Sequence, residues 1–243
     1  MTTNPTIPTS FDRAARAYAA HARVQTAMAA WLAEWLPAER GGRALEVGAG
    51  PGIFTRHLLP WAGDLTASDL SEAMCEAGQS ALPGVKWRPM PAQAPTGGPW
   101  DWIFASSMLQ WMEDPAALFA AWRTALRPRG RILAGLFAQG SLPEWRSLAG
   151  EDGPVIWRRP EEWRRHLDGA GFRVRREETA ARKFDYASAR VFLRSLHGVG
   201  AAPERRYEPG PLRRLLAEYE RRYRAGPGVG ATWVFHRFEA VRT

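Results

Sequence analysis

A chain of 243 residues, 45% of them hydrophobic, is long enough to bury a core of its own and has the composition of a folded protein rather than a disordered one. It carries 33 Lys+Arg against 25 Asp+Glu, a formal charge of +8, and nearly every basic residue is arginine, Lys86 and Lys183 being the lysines. The single cysteine, Cys75, excludes internal disulfides and multi-cysteine metal sites, and no apolar run approaches the roughly 20 residues that cross a bilayer.

The opening "MTTNPTIPTS" has neither a basic start nor an apolar block, so no secretory signal is expected there and a cytoplasmic location is. The arginine surplus suits an anionic partner, nucleic acid or an acidic protein, and suits equally a genome that writes arginine where another writes lysine. Charge alone selects neither.

In chain order, residues 1–9 read as disordered, Ser10 caps a helix through "FDRAARAYAAHA", and a second helix in "VQTAMAAWLAEWL" ends before Pro37. Short apolar strands then alternate with helices. "RALEV", "DLTASD", "VKWRP", "WDWIFASS" and "RILAGLF" read as strands; "IFTRHLLPW", "SEAMCEAGQS" (capped by Ser71) and "PAALFAAWRTAL" (closed by "RPRG") read as helices. That alternation predicts an α/β fold with a mostly parallel sheet and helices on both faces. Beyond residue 139 the pattern loosens: "RRPEEWRRHLDGAG" is a helix with a glycine stop and "FRVRREET" a strand. "YASARVFLRSLHGVG" and "GPLRRLLAEYERRYR" are helices, and "ATWVFHRFEAVR" is a closing strand. The expected organisation is a single domain: a helical cap over 1–37, a core over 38–139, and a remainder over 140–243. An insert at about 187–225 lies over the carboxyl edge of the sheet, where open α/β sheets bind ligands.

The stretch "RALEVGAGPG" runs a strand into Gly48, Gly50 and Gly52. A dinucleotide fingerprint needs its third glycine at position 53, which is Ile53, and no Gly-Lys-Ser/Thr follows to make a phosphate loop. Glycines at 48, 50 and 52 let the backbone turn tightly and approach a ligand without a Cβ between. About 20 residues on, Asp69 closes the second strand, where a carboxylate can accept both hydroxyls of an intact ribose. Glu46 is an acid on a strand that otherwise reads as buried, which demands a specific partner.

This loop closely resembles that of class I S-adenosylmethionine-dependent methyltransferases, and the resemblance implies their Rossmann-like fold, adenosylmethionine as cofactor and no metal. It places Gly48, Ala49, Gly50 and Gly52 around the cofactor, Glu46 on the loop amides or the methionine amine, Asp69 on the ribose and Leu70 against the adenine. The acidic residue that the family usually carries after the third strand is absent from "RPMPAQAP", so Ala92 or Gln93 is expected at the adenine instead. Three further stretches, "FDRAARAYAAHARVQ", "ASSMLQWMEDPAALFAAWRTALRPRG" and "FAQGSLPEW" with "FLRSLHGVGA", resemble malonyl-acyl-carrier-protein O-methyltransferases of biotin synthesis over nearly the whole chain. The tail matches less closely, with Thr232-Trp233 where that family often has Thr-Tyr.

The reaction that the resemblance implies needs no general base, because a malonyl carboxylate is already ionised at neutral pH. Tyr18, Ser106, Trp111 and Arg194 are then the candidates for positioning the acceptor, Ser106 being expected at the cofactor as well, with Gln25, Ser107 and Gln110 beside them. His21, His197 and His236 are assigned no catalytic part. Arg205, Arg206, Arg213, Arg214, Arg221 and Arg222 offer charge to an acidic acyl carrier protein bearing the malonyl group, or form a solvated face. Two alternatives stay open: methylation of a free small acid or quinone precursor, and an RNA methyltransferase or non-catalytic adenosylmethionine-binding module. RNA binding would call for aromatic residues interleaved with a basic groove, or an accessory domain, and the tryptophans here fall at core-like positions instead.

Overall fold

Short buried runs set the strands. Arg43–Val47 (β1) is buried from Ala44 onward, and Asp64–Asp69 (β2) and Trp100–Ser106 (β4) are buried through most of their length, as strands covered on both faces must be. The computed structural model describes residues 18–39, 41–150, 155–200 and 208–243. The expected disordered start, the Ser10 cap, most of the first helix, and Arg205 and Arg206 lie outside the described residues.

The remaining strands are Lys86–Pro89 (β3), Leu126–Phe137 (β5), Phe172–Tyr186 (β6), Arg224–Ala225 (β7) and Gly228–Arg242 (β8). They form one eight-stranded sheet in the order β3-β2-β1-β4-β5-β8-β6, with β7 paired to β8. From β3 to β5 the strands run parallel, and β8 is antiparallel to both of its long neighbours. The chain order reverses between β1 and β4. Beyond the carboxyl ends of those strands lies the crevice in which such sheets bind ligands.

The helices are Tyr18–His21 (α1), Arg23–Ala33 (α2), Thr55–Leu58 (α3), Glu72–Ala81 (α4), Pro115–Ala125 (α5), Pro143–Ala149 (α6), Pro160–Gly169 (α7), Ala189–Gly198 (α8) and Pro209–Arg222 (α9). Alternation along the strands divides the core. Leu45, Val47 and Ile103 pack with Leu118, Phe119 and Trp122 of α5 and Trp163 of α7, while Ala44, Trp102 and Phe104 pack with Ala29 and Leu32 of α2 and Leu58 of α3. A third cluster joins α2, α6, α8 and α9 over Phe137, Trp233 and Phe235. As expected from the sequence, Ser71 caps α4 by accepting from the Met74 amide at 3.1 Å.

Three expectations are corrected. "IFTRHLLPW" forms the single turn of α3 between non-helical turns, because i→i−3 bonds such as His57 N to Phe54 O tighten both ends and Pro60 follows. "RPRG" does not close α5 ahead of a strand: β5 begins at Leu126, opposite Trp100, and the register then jumps to Arg131 opposite Trp102, so residues 127–130 bulge out, with Arg129 at φ 62°. β6 does not stop near Thr179 but runs to Tyr186, since β8 pairs it from Phe172↔Arg242 to Tyr186↔Val229.

Part of the arginine surplus is consumed inside the fold. Arg237 is 4% exposed and lies between the rings of Trp31 and Trp35, at 4.0 and 4.2 Å from their centroids, paired with Glu178 at 2.6 Å and Glu34 at 3.1 Å. Arg176 stacks on Trp35 and pairs with Glu239, and Arg182 stacks on Trp31. Delocalised, weakly hydrated guanidinium groups suit this ladder, which docks α2 on the antiparallel half of the sheet.

Buried His236 has its Nδ1 2.9 Å from the Thr179 hydroxyl, and burial pulls its pKa down to about 4. The unfolded chain therefore binds a proton that the folded one refuses between about pH 6.5 and pH 4, and stability falls on acidification through that window by about 3 kcal/mol. Urea-unfolding free energies of the wild type and His236→Gln across this range test it. The wild type should lose stability more steeply, and parallel curves would contradict the assignment.

Candidate active site

The turn after β1 is fixed from two sides. Gly48 sits at φ 64°, and a Cβ there would fall 2.3 Å from Met108 Cγ, so neither the backbone angle nor the space admits another residue. The turn closes through Ala49 N to Ser68 O at 2.9 Å and Gly52 N to Ala49 O at 3.0 Å. Gly50, at φ 56°, differs: a Cβ on it would meet nothing within 4 Å. Here the backbone faces an open cradle.

Asp69 anchors this turn to β2. Its Oδ2 accepts from Gly50 N at 2.8 Å and its Oδ1 from Ser71 N at 3.0 Å. An ionised carboxylate accepts hydrogen bonds and donates none, which is the chemistry a ribose diol asks for. The anchoring bond to Gly50 was not expected from the sequence. Leu70 is exposed beside it, as a surface awaiting a flat apolar ligand would be.

Glu46 is 1% exposed, and its Oε2 has no hydrogen-bond partner. Burial raises its pKa to about 8; the Thr55 hydroxyl lies near enough to lower it somewhat without reaching bonding geometry, and the Asp69 charge raises it further. A buried carboxyl oxygen without a hydrogen-bond partner calls for one, and a ligand's ammonium group has the chemistry to supply it. Beyond β3, the Ala92 carbonyl accepts from Trp122 Nε1 at 2.8 Å, and half-buried Gln93 rests its amide on Met112 Sδ at 3.5 Å.

At the carboxyl end of β4, Ser106 stays in the ladder opposite Gly135, while Ser107 turns to φ 58° and donates its amide to Gly135 O at 2.8 Å. A non-glycine residue in that region is strained, and strain held by surrounding bonds gathers at functional sites. Gln110 Nε2 holds the Ser107 carbonyl at 2.6 Å, leaving Ser107 Oγ and Gln110 Oε1 buried without partners.

Ser107, Gln110 and Trp111 line a narrow cleft with Tyr18 of α1 and Gln25 of α2. Five expected residues thus meet in one place. Phe137, Val155, Trp157, Val199 and Trp233 complete the wall. Of these only Trp233 stood out in the sequence, as a departure from a family pattern; Val155 and Trp157 lie where the strand–helix rhythm had already broken down. Ser106 and Arg194 are not among the residues lining this cleft, and Arg194 is exposed on α8.

The free interior of the cleft is about 10 Å³, the room of one water. Burial, and secondarily the Asp69 charge, hold the Tyr18 phenol far above the ordinary tyrosine range, which keeps it a neutral hydroxyl. Among the described lining residues there is no Asp, Glu, His, Lys or Arg. These residues offer hydroxyls, amides and aromatic walls.

A family model described as a methyltransferase domain matches residues 18–177. The chain belongs to the methyltransferase-domain family. The methyltransferase is 29% identical over 257 residues to a malonyl-[acyl-carrier protein] O-methyltransferase of Halalkalibacterium halodurans, covering 94% of each chain, and 28% identical to one of Paenibacillus sp., covering 93% and 95%. Among solved structures, a putative methyltransferase of Bacillus halodurans superposes with a TM-score of 0.66 at 13% identity, over 89% of this chain and 100% of that one. Phosphoethanolamine N-methyltransferase 2 of Haemonchus contortus, in complex with S-adenosylhomocysteine, superposes at 0.61 with 17% identity, over 100% of this chain and 60% of that one. These neighbours share the class I fold that the glycine loop implied.

The cofactor of this enzyme class is S-adenosylmethionine, and the residues present fit it: a glycine turn at Gly50, an acceptor carboxylate at Asp69, and a buried carboxyl oxygen without a hydrogen-bond partner at Glu46. No helix among the described residues is long and apolar enough to cross a membrane.

Proposed function

We propose that this methyltransferase esterifies the free carboxylate of a malonyl group carried as a thioester on an acyl carrier protein, an early step of biotin synthesis in the cytoplasm. The observation that carries the reading is that the described residues lining the cleft offer hydroxyls, amides and aromatic rings and include no Asp, Glu, His, Lys or Arg. Phenol, amine and carbon acceptors commonly need a proton removed, whereas a carboxylate arrives ionised. The names of relatives that match this chain nearly end to end support the malonyl carrier as acceptor.

Bound adenosylmethionine supplies an electrophilic methyl on a sulfonium. The chain's own residues do the rest by placement. Asp69 takes the ribose, Glu46 the amino group, Gly48, Ala49, Gly50 and Gly52 the backbone approach, and Leu70, Ala92 and Gln93 the adenine. Tyr18, Ser107 and Gln110 hydrogen-bond the acceptor, and Trp111 walls it. Attack by the carboxylate oxygen forms the O–CH₃ bond as the S–CH₃ bond breaks, and opposite charges vanish together. Excluding water from the cleft strengthens that attraction and strips the nucleophile.

Mass spectrometry of malonyl-carrier protein incubated with enzyme and adenosylmethionine tests the proposal, with malonyl-CoA and acetyl-carrier as controls. A gain of about 14 Da on the malonyl carrier alone is expected. No gain on any of them, with cofactor binding intact, points to another acceptor.

The state of Glu46 gives a second test. Its neutral form predominates at pH 7 in the folded enzyme, so pairing it with the cofactor's ammonium must expel a proton. Titration calorimetry near pH 7 in buffers of different ionisation enthalpy should show close to one proton released, and affinity rising with pH up to about 8. Both signatures should vanish in Glu46→Gln. Proton-neutral binding by the wild type would remove Glu46 from the amino group.

A further inference from the structure

We propose that the indole N–H of Trp233 and the hydroxyl of Tyr186 form a second polar subsite of the cleft, which receives the thioester carbonyl oxygen of the acceptor. This rests on the reading of the acceptor as a carboxylate that carries a thioester. Trp233 and Tyr186 are both buried, and neither Trp233 Nε1 nor the Tyr186 hydroxyl has a hydrogen-bond partner among the described residues. A buried donor without a partner forfeits its hydration and gains nothing in return, so its presence needs a reason.

Two comparisons single this pair out. Trp100, Trp145 and Trp163 also have unpartnered indole nitrogens, but of these indoles only Trp233 lines the cleft. The neighbouring tyrosines are satisfied: Tyr219 donates to Gly230 O at 2.9 Å, and the Tyr223 hydroxyl meets Ser147 Oγ at 2.6 Å. Tyr186 and Trp233 lie beside one another. Burial raises the Tyr186 pKa and keeps the phenol protonated, while the indole N–H and the Ser195 hydroxyl are near enough to lower it somewhat without reaching bonding geometry. Ser195 spends its own proton on Phe192 O at 2.7 Å. One N–H and one O–H are thus left together, the complement of a carbonyl oxygen with two lone pairs.

Trp233 is held from both sides along the chain. Here β8 runs past the carboxyl end of β5, and the segment after β5 takes over its pairing. Thr232 N and Oγ1 donate to the Glu144 carboxylate at 3.0 and 2.6 Å, Leu142 N donates to Thr232 O at 2.6 Å, and Val234 N donates to Ser141 Oγ at 2.9 Å. The indole rests against Phe137 with 4.9 Å between ring centroids. A donor fixed in this way loses little freedom on meeting a ligand.

Placement along the sheet selects the oxygen. The cofactor turn at Gly50 and Asp69 belongs to β1 and β2, so the methyl arrives from that side, and the attacking carboxylate belongs with Tyr18, Ser107 and Gln110. β8 stands two strands beyond β4, with β5 between. Donors on the β8 side therefore meet the far end of the acceptor, and in a malonyl thioester that end is the carbonyl. Two neutral donors suit a neutral oxygen better than a second anion.

The test compares wild type, Tyr186→Phe and Trp233→Phe on two loaded carriers. One bears the malonyl thioester. The other bears the thioether made by alkylating the carrier thiol with 3-bromopropionate, which keeps an ionised carboxylate and replaces the carbonyl by a methylene. The readouts are kcat/KM for methylation and carrier affinity with S-adenosylhomocysteine bound, with adenosylmethionine affinity as the folding control. The wild type should favour the thioester at least about tenfold, and in each variant the preference should shrink to within about threefold, because the loss falls on the thioester. A merely structural role would lower both carriers together. A wild type without the preference, or variants that keep it, would overturn the subsite. A preference in affinity that the variants abolish, with neither carrier methylated, would uphold the subsite while removing the proposed reaction. Tyr186→Phe deletes one oxygen and keeps the ring packed on Phe192, so the test stands even where Trp233→Phe does not fold.

Discussion

Replacing Gly48 with alanine is expected to destabilise the fold by about 2–5 kcal/mol, the sum of roughly 1–2 for the left-handed backbone and roughly 1–3 for overpacking. The clash is with Met108 Cγ at 2.3 Å, and Met108 is a buried member of the core on that face of the sheet, so neither side can yield cheaply. Against a typical total stability of about 5–15 kcal/mol, such a loss leaves little folded enzyme at 37 °C. Gly50→Ala provides the contrast. Its Cβ would meet no atom of the described residues, so the stability cost should stay near the roughly 1–2 kcal/mol of the backbone angle alone. Cofactor affinity should nevertheless fall at least about tenfold, because the added methyl stands where the ligand approaches. Urea unfolding and calorimetry separate the two. Equal stabilities for the two variants would refute the division of labour along the turn.

Asp69→Ala is expected to weaken adenosylmethionine binding by about 10²–10³-fold, the loss of two charge-assisted hydrogen bonds to a ribose at roughly 1.5–3 kcal/mol each, less what water restores. Because Asp69 also holds Gly50 N and Ser71 N, lost affinity by itself does not distinguish the ribose contact from a loosened turn. A cofactor analogue lacking a ribose hydroxyl does. It should bind more weakly than the parent compound to the wild type and equally well to Asp69→Ala, a coupling that a purely structural role cannot produce. Asp69→Asn, which retains one acceptor oxygen, should fall between. Unchanged affinity in Asp69→Ala would remove the residue from the site.

The parallel half of the sheet was legible because its signals are local. Buried runs of strand length, the Ser71 cap and the glycine spacing each act within a few residues. The antiparallel half was not, since the length of β6 is set by pairing with β8 some 57 residues away at Thr179 and His236, and no short window contains that partner. Charge misled in the same way. A count of +8 cannot reveal that Arg237 is sandwiched between two tryptophans while Arg190 and Arg194 are open. Within the site, Ser107 and Gln110 were found by their place after the fourth strand, but the strained backbone of Ser107 and its unpartnered hydroxyl emerge only in three dimensions. Val155 and Trp157 reach the cleft from a segment with no motif of its own, and Val199, though inside "FLRSLHGVGA", carries no chemistry that would single it out.

The account stands on an acceptor that reaches the cleft already ionised, with no protein group removing its proton. Single-turnover methyl transfer to malonyl-carrier protein, at saturating adenosylmethionine and between about pH 6 and about pH 9, measures this directly. A rate constant flat across that range is the predicted result. A rate climbing about tenfold per pH unit through part of it would reveal a titrating base or a protonated acceptor, and would contradict the account.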